Sequence, residues 1–422
     1  MGWLKGDPYL VDRPIPASNL KLLTTAAALD THSSEHRYQT VLYLRGQING
    51  DTIDGDLLLR GAGDPSFGSS RFREDPLRDW ARQLKAMGIR RITGSLIGDD
   101  NVFDDQPYQE GWDVGLIGTH SYATSTGGLP YRDNVVNIAA TGGNTGSSVR
   151  ISQYPGRYLD VDNKARTISR GRTGLHLVRA PGTNRVRLVG SLRSGQRRNI
   201  RIPVADPTVF ALSSFESHLR AEGISVEGEV QDVDALRSRP GYNGAQPLFA
   251  YVSPPLGTLI KLINKNSNNF YAEQIFRTIG QGGDAASAER KIRALAQRAG
   301  ASTRGISICD GSGLSRKDLV SPELMTRVLA YMFTHPEWEA YGESLPYGGE
   351  RGSTLAGRLT NVPVQAKTGS LEFARALSGY VYARDNSVLA FSAIANNYST
   401  SGGQISRTLD QIVRTLAAYD GD

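Results

Sequence analysis

Three short patterns in this chain combine residue types that can form and break an acyl bond. They are Ser18 with Lys21, Ser267 with Asn269, and the run Lys367-Thr368-Gly369. Each pattern occurs once, and each taken alone is compatible with an ordinary helix cap or turn, which use the same residue types. Their joint occurrence in this order predicts a site where a serine nucleophile works with a lysine base.

Ser18 and Lys21 are predicted to act together as nucleophile and general base. Because they lie three residues apart at the start of a predicted helix, their side chains share one helix face. A serine hydroxyl is a weak nucleophile until a base removes its proton, and a lysine does so only when its pKa is lowered. Burial and a second cation, Lys367, would lower the pKa of Lys21 in this way. The start of the helix adds positive potential where a tetrahedral oxyanion would form.

Ser267 and Asn269 are expected to serve the leaving group and the substrate. The Ser267 hydroxyl is small and could relay a proton between Lys21 and the leaving group. The Asn269 amide both donates and accepts hydrogen bonds, which suits it to hold a peptide bond of the substrate.

The run that begins at Lys367 is expected to be a strand that binds substrate. Lys367 and Thr368 would face a substrate carboxylate, and Gly369 would let the backbone approach closely because it has no side chain. The N–H of Ser370 would complete an oxyanion hole with that of Ser18.

The surrounding sequence predicts the elements that must position these residues. Periodicity indicates helices at 16–29, 76–88, 207–222, 321–334, 353–360 and 403–418, and three more within 254–300. Alternating or β-rich runs indicate strands at 38–46 and 55–61, within 134–205, at 224–231, and in three segments from VPVQAKTGS onward. The sequence therefore predicts an α+β protein of several domains.

Composition sets the outer limits. The 422 residues are 39% hydrophobic and 21% charged, which supplies a large core and excludes global disorder. No apolar run is long enough for a transmembrane helix, and the single cysteine, Cys309, excludes an intramolecular disulfide or a thiolate metal site. The net charge of +6 allows contact with anionic polymers without requiring it.

The chain resembles the low-molecular-mass class C penicillin-binding proteins, the D-alanyl-D-alanine carboxypeptidases and endopeptidases of peptidoglycan. Beyond the three patterns, the resemblance rests on the segments PASNLKLLTTAAAL, DGDLLLRGAGDPSF, NKNSNNFYAEQIFR, DGSGLSRKDLVSP and AKTGSLEFARALSGY, and it covers residues 7–418. It implies that Ser18 is acylated and that Lys21 is the general base. Peptidoglycan stem peptides and β-lactam antibiotics are the implied ligands, with no cofactor, no metal and no nucleic acid.

The resemblance also implies an architecture. A catalytic domain like that of penicillin-binding proteins and β-lactamases, with an antiparallel sheet flanked by helices, would comprise 1–38 and 248–422. A strand-rich inserted domain would comprise 39–65 and 134–247, and a small α+β domain at 66–133 would be nested in it.

The resemblance further implies a periplasmic or other extracytoplasmic location. Members of the family begin with an export signal and an N-terminal segment of the catalytic sheet, whereas 17 residues precede Ser18 here. We therefore expect both of these parts to be missing from the chain.

Other interpretations stay open from the sequence. The same core could be a β-lactamase or esterase, or a catalytically silent scaffold that binds peptidoglycan. Residues His32 to His36 fit the HxxEH pattern of inverted zinc proteases, but they fall where the first helix should end, so we expect a solvated connection. The basic stretch from Arg193 to Arg198 is expected to be a solvated hairpin tip, with contact to an anionic wall polymer as the alternative.

Overall fold

A computed structural model describes residues 13–179, 182–238 and 241–421. The expectation about the N-terminal segment falls mainly on residues 1–12, which lie outside the described residues. The helices are α1 (Leu20–His32), α2 (Pro76–Ala86), α3 (Pro207–Ala221), α4 (Leu256–Asn266), α5 (Asn269–Ile279), α6 (Ala285–Arg298), α7 (Pro322–Phe333), α8 (Trp338–Ser344) and α9 (Gly402–Ala417). None of these described helices combines the length and the apolarity needed to cross a bilayer.

Strands make up a similar share of the chain, which confirms the predicted α+β class. They are β1 (Gln39–Asn49), β2 (Thr52–Arg60), β3 (Arg91–Ile92), β4 (Leu96–Asp99), β5 (Val135–Thr141), β6 (Arg150–Tyr154), β7 (Asp160–Asn163), β8 (Arg166–Ile168), β9 (Gly174–Arg179), β10 (Arg185–Arg193), β11 (Arg197–Pro203), β12 (Ser225–Val226), β13 (Val230–Asp232), β14 (Gln246–Val252), β15 (Val364–Leu371), β16 (Ala374–Tyr382) and β17 (Val388–Asn396).

The chain divides into two compact units. The first consists of the chain up to His36, the short segment Gln109–Trp112, and everything from Pro255 onward. The second consists of Arg37–Tyr108 and Asp113–Pro254. Four residues in the middle of the long segment 37–254 therefore belong to the first unit, while the rest of that segment forms the second.

The first unit contains an antiparallel sheet in the order β15-β16-β17. Helix α9 covers one face of this sheet, where Leu409 and Val413 share a core with Val364. On β16 the Tyr380 hydroxyl donates to the Leu329 carbonyl of α7 at 2.8 Å. An antiparallel sheet flanked by helices is the predicted catalytic architecture.

Helix α1 is buried around its whole circumference rather than along one stripe. Every residue from Leu20 to Leu29 is buried. Alanine and leucine dominate this stretch and favour helix strongly, so the segment can form a central helix that other helices surround. It packs against α4, α5 and α6, and α5 carries Asn269 at its first position.

The helix predicted at 353–360 is wrong, because these residues form turns. Gly352 and Gly357 have φ values of 79° and 72°, a left-handed conformation that an α-helix cannot contain. Leu355 and Leu359 are fully buried in the core beneath α9. Leu355 and Leu359 are four residues apart, which is the spacing of one helix face, but here turns place both side chains in the core.

The second unit contains three sheets. The largest follows the order β12-β3-β2-β1-β14, with β4 joined to β2 and β13. Two smaller sheets have the orders β7-β10-β8, with β9 on β10, and β11-β5-β6. Helices α2 and α3 pack against each other, and α3 also lies against β4, β12 and β13.

One hydrophobic core runs through most of the second unit. It includes Leu57 from the range 39–65, Trp80 and Leu96 from 66–133, and Ile138 and Phe215 from 134–247. The expected boundaries between these ranges, and those of the split catalytic domain, stay predictions.

Candidate active site

The structure brings Ser18 and Lys21 together at the start of α1. Ser18 lies in a 3-10 turn, Ala17–Asn19, and is half-buried, whereas Lys21 in the first turn of α1 is fully buried. Lys21 Nζ lies 3.0 Å from Ser18 Oγ. Ala17 has φ of 47°, a left-handed conformation that a residue with a side chain adopts at an energetic cost, directly before Ser18.

Lys21 sits in a polar cluster that fixes its amine. Besides Ser18, its Nζ lies 2.7 Å from Asn269 Oδ1 and 2.5 Å from the carbonyl oxygen of Ser312. Burial lowers the pKa of Lys21 to about 8, because desolvation disfavours the ammonium form. The negative charges of Asp310, Glu273 and Asp318 oppose this shift.

Ser267 and Lys367 form a second contact of the same kind. Ser267 follows the last residue of α4 in a left-handed conformation with φ of 56°, and Lys367 lies on β15. The Lys367 Nζ donates to Ser267 Oγ at 3.0 Å and to the Thr368 carbonyl at 2.8 Å. Burial, and then the charge of Lys21, holds the pKa of Lys367 well below its usual value.

Strand β15 runs past the turn that holds Ser18. A Cβ on Gly369 would lie 2.7 Å from the Pro16 carbonyl oxygen, so this close approach requires glycine. Thr368 is buried and Ser370 is exposed, so β15 leaves the buried part of the unit directly after Gly369. All the residues that the sequence predicted for the site are therefore on elements of the first unit.

The sequence patterns missed the loop that supports Lys21. Asp310 accepts hydrogen bonds from the backbone N–H groups of Ser312 at 3.1 Å, Gly313 at 2.6 Å and Ser315 at 2.7 Å. An aspartate that binds the N–H groups of the next residues fixes a turn, and here that turn aims the Ser312 carbonyl at Lys21. The run DGSGLS held this signal, since Asp, Gly and Ser favour such turns.

Glu273 on α5 is a second buried carboxylate that holds the same loop. It accepts from the N–H of Ser312 at 2.8 Å and from that of Gly311 at 3.1 Å. Burial and the charge of Asp310 raise the pKa of Glu273. Burial also raises the pKa of Asp318 well above its usual value, and Asp318 in turn binds the N–H of Cys309 at 2.7 Å.

Gly313 lets this loop reach the nucleophile turn. Its φ is 76°, and a Cβ placed on it would lie 1.9 Å from the carbonyl oxygen of Ala17 and 3.1 Å from the Ser18 nitrogen. Any larger residue would push the loop away from Ser18 and, with it, the Ser312 carbonyl away from Lys21.

The segment Gln109–Trp112 braces the loop from the side. The Trp112 indole N–H donates to Asp310 Oδ2 at 2.9 Å, in a buried position. The Ser315 hydroxyl donates to the Glu110 carbonyl at 2.7 Å, and Lys317 forms an ion pair with the Glu110 carboxylate. No local pattern could have indicated these contacts, because Trp112 and Asp310 are 198 residues apart in sequence.

The HxxEH residues lie at the end of α1. The rings of His32 and His36 are stacked with centroids 4.6 Å apart, and His32 Nε2 lies 3.3 Å from the Thr278 carbonyl oxygen. Burial lowers the pKa of both imidazoles. The interpretation of this pattern as a solvated connection stays a prediction.

Comparison with known proteins gives a consistent picture. The profile of the D-Ala-D-Ala carboxypeptidase 3 (S13) family matches residues 11–419. A D-alanyl-D-alanine carboxypeptidase from Actinomadura sp. (strain R39) is 30% identical over 439 residues, which covers 96% of this chain and 77% of that protein.

Solved structures agree with this comparison. The crystal structure of penicillin binding protein 4 from Haemophilus influenzae superposes with a TM-score of 0.83 at 24% identity, over 98% of this chain and 94% of that one. A complex of the same Haemophilus protein with a β-lactam superposes with a TM-score of 0.75 at 25% identity, over 96% and 90% of the two chains.

Proposed function

This chain belongs to the D-Ala-D-Ala carboxypeptidase 3 (S13) family, and from that membership we propose how its residues carry out the family's reaction. It is a serine-type D-Ala-D-Ala carboxypeptidase, a hydrolase that acts on peptidoglycan. The observation that carries the residue assignment is the 3.0 Å separation between Lys21 Nζ and Ser18 Oγ in a buried cluster.

Acylation begins with transfer of the Ser18 proton. Neutral Lys21 accepts the hydroxyl proton while Ser18 Oγ attacks the carbonyl carbon between the two D-alanines of the substrate. A pKa of about 8 suits this step, because a base that titrates near the working pH is partly neutral and still basic enough to take the proton. The N–H groups of Ser18 and Ser370 stabilise the oxyanion that forms.

Collapse of the tetrahedral intermediate breaks the peptide bond. The terminal D-alanine leaves as an amine that takes the proton from Lys21, and the Ser267 hydroxyl serves as the relay. The Ser267 contact with Lys367 at 3.0 Å supports this role, since the Lys367 amine donates a hydrogen bond to the hydroxyl oxygen while it passes a proton. Water then attacks the acyl-enzyme with Lys21 again as base, which restores Ser18 and completes the hydrolysis.

Substrate binding is assigned to the strand after the second lysine. Lys367 and Thr368 bind the terminal carboxylate of the substrate, and Gly369 lets the peptide backbone approach β15. Asn269 holds Lys21 through its amide oxygen and contacts a substrate peptide bond.

The ligands and the location follow from the same chemistry. β-Lactams acylate Ser18, as the β-lactam complex of the Haemophilus protein supports. The stem peptides of peptidoglycan are the substrates, which requires an extracytoplasmic location such as the periplasm. Cleavage of D-amino-acid cross-links is the same reaction with a longer leaving group, so we include endopeptidase action in the proposal.

The nucleophile assignment is tested by intact mass after incubation with penicillin. The wild-type chain should gain the mass of one penicillin as a stable adduct, and Ser18→Ala should gain nothing. The thermal midpoint of Ser18→Ala should stay close to that of the wild type, because deleting a half-buried hydroxyl at a cleft costs little.

Other outcomes would point to the alternatives. Rapid turnover of penicillin without a stable adduct would indicate a β-lactamase, and a wild-type chain that never reacts would indicate a silent scaffold. Labelling of Ser18→Ala at the wild-type rate would remove Ser18 from the mechanism. The matched control is Ser387→Ala, which removes a half-buried serine hydroxyl in the turn between β16 and β17 and should react like the wild type.

A further inference from the structure

Three loops, counted with the strand residues that flank them, lie at one end of the smaller sheets in the second unit. None of them carries an acidic residue, and the second and third carry six arginines. We call them together the arginine tip, and they are residues 141–148, 166–173 and 191–199. The arginines of the tip are all exposed: Arg166, Arg170, Arg172, Arg193, Arg197 and Arg198. The sequence had drawn attention to the last three alone, as one basic hairpin.

Hydrogen bonds join the three loops into one surface. The Ser191 hydroxyl donates to the Arg172 carbonyl at 3.1 Å, and the Thr167 hydroxyl accepts from the N–H of Gly143 at 3.0 Å. The N–H of Gly142 donates to the Gln196 carbonyl at 2.9 Å, which connects the first loop to the third. The fold therefore holds together the backbone segments that carry these six cations.

These arginines differ from others on the same strand. Arg185 and Arg187 on β10 are paired with Asp160 at 3.2 Å and Asp162 at 2.8 Å on the neighbouring β7. Within the described part of the chain, none of the six arginines of the tip forms an ion pair. Folding thus neutralises one end of β10 and leaves a block of like charges at the other.

Like charges held together cost free energy through mutual repulsion, and an anion that binds them recovers it. Guanidinium groups bind carboxylates through two parallel hydrogen bonds. The larger apolar side chains of the tip, Ile168 and Leu192, are not exposed, so the tip lacks the apolar groups that enter a lipid interface. A water-exposed polymer of carboxylates fits this surface better than a bilayer does.

We propose that the arginine tip binds the carboxylates of the peptidoglycan polymer and holds the enzyme on its substrate between turnovers. This inference rests on the proposed function, since it takes the polymer to be the one that bears the D-Ala-D-Ala ends. Stem peptides that are not cross-linked through their D-alanine end in a free carboxylate, so a single glycan strand presents several anions to this group of cations. Retention on the polymer would raise the local concentration of stem peptides at the active site.

The test measures binding to purified peptidoglycan sacculi by co-sedimentation. The tip variant combines Arg170→Gln and Arg197→Gln, and the matched control combines Arg185→Gln and Arg187→Gln, which removes the same charge from paired positions. At about 50 mM salt, the tip variant should bind about tenfold more weakly than the control, and the difference should shrink at about 500 mM salt because exposed charges are screened. Amidation of the sacculus carboxylates should weaken binding of the wild type in the same way.

Equal binding of the two variants, or wild-type binding that resists both salt and amidation, would overturn the proposal. Co-sedimentation with phosphatidylglycerol vesicles is measured alongside. If the tip variant lost binding to the vesicles and kept wild-type binding to sacculi, the proposal would also be overturned, because the tip would then bind a lipid surface. Hydrolysis of a soluble D-Ala-D-Ala peptide separates this proposal from the proposed function. Both variants should keep wild-type rates there, and a wild type that binds sacculi but hydrolyses nothing would refute the function and leave the tip intact.

Discussion

Lys21 faces charged groups on every side, and their balance sets the pH at which it can act as a base. Glu273 approaches from α5, Asp310 and Asp318 from the loop before α7, and Lys367 from β15. Carboxylates favour the ammonium form and burial disfavours it, so the working pH depends on partners far from Ser18 in sequence.

We expect the rate of β-lactam acylation to rise with pH and to level off above about 8, because Lys21 must be neutral to accept a proton. Asp310→Asn removes a negative charge that raises the pKa of Lys21, so the midpoint should move to lower pH. The plateau rate should fall as well, since an asparagine side chain cannot accept every N–H that Asp310 binds. Stopped-flow acylation between about pH 6 and about pH 10 measures both effects.

Asp385→Asn is the control for this charge change. Asp385 is exposed in the turn between β16 and β17, so its removal should leave the midpoint in place. A midpoint that stays unchanged or rises in Asp310→Asn would show that the charge of Asp310 does not act on Lys21.

Trp112 should matter to catalysis through Asp310. Trp112→Phe keeps most of the ring and removes the N–H that donates to Asp310 at 2.9 Å. Loss of one hydrogen bond to a charged acceptor should loosen the loop that carries the Ser312 carbonyl, and we expect kcat for a soluble D-Ala-D-Ala peptide to fall about tenfold with little change in KM.

Trp338→Phe in α8 is the comparison variant, because that ring packs edge-on to Tyr380 and its loss tests general packing. If both tryptophan variants lose activity to the same extent, or if Trp112→Phe changes only KM, then Trp112 is not a positioning residue for Asp310.

At this scale the sequence predicted the three patterns because each is local or near-local. Ser18 and Lys21 are three residues apart, and helix geometry alone makes them neighbours. Glu273 and Trp112 left no such signal. Their partners lie 39 and 198 residues away, so only the folded chain brings them together.

Among the elements, α4 ends at a strained residue, Ser267, whose hydroxyl belongs to the active site. Ser267 has φ of 56°, where any residue other than glycine is strained, and its side chain meets Lys367. A helix that ended here in glycine would be more stable, which is the usual choice at this position. The helix-capping preference alone would favour glycine at this position. A serine here therefore indicates that its hydroxyl is needed for function.

Ser267→Gly and Ser267→Ala separate these two roles. Both variants remove the hydroxyl and should lose most acylation activity, but glycine also relieves the backbone. We expect Ser267→Gly to be more stable than Ser267→Ala by about 1 kcal/mol, seen as a higher thermal midpoint. Equal midpoints would mean that the left-handed conformation carries no cost here.

Element prediction succeeded where periodicity was long and uninterrupted. The helix expected at 76–88 is observed as Pro76–Ala86, and that expected at 403–418 as Gly402–Ala417. It failed at 353–360, where two buried leucines have helical spacing but Gly352 and Gly357 hold turns. A pattern of apolar residues indicates which side chains are buried. It does not distinguish a helix from turns that bury the same two leucines.

For the whole molecule, the ranges proposed as separate domains of the insertion share one core. Strand β4 from 66–133 pairs with β2 from 39–65, for example Leu57 with Leu96, and the side chains of both enter the same cluster. We therefore expect 39–65, 66–108 and 134–247 to unfold together, even though the chain order divides them.

Native-state hydrogen exchange tests this expectation. Amides of β4 should open with the same free energy as those of β1, because neither strand can leave the core without the other. Exchange in β4 that is clearly faster than in β1 would instead support a nested domain with its own stability.

The first unit is assembled from both ends of the chain and four residues of its middle, and this has a consequence for biosynthesis. A chain made from its N-terminus presents Ser18 early and Lys367 near the end, while the second unit is complete once Pro254 has been made. The nucleophile helix can pack against α4, α5 and α6 earlier, but it lacks Lys367 until β15 exists. A growing or partly delivered chain is therefore inert, and the wall meets a working peptidase only when nearly every residue has been made.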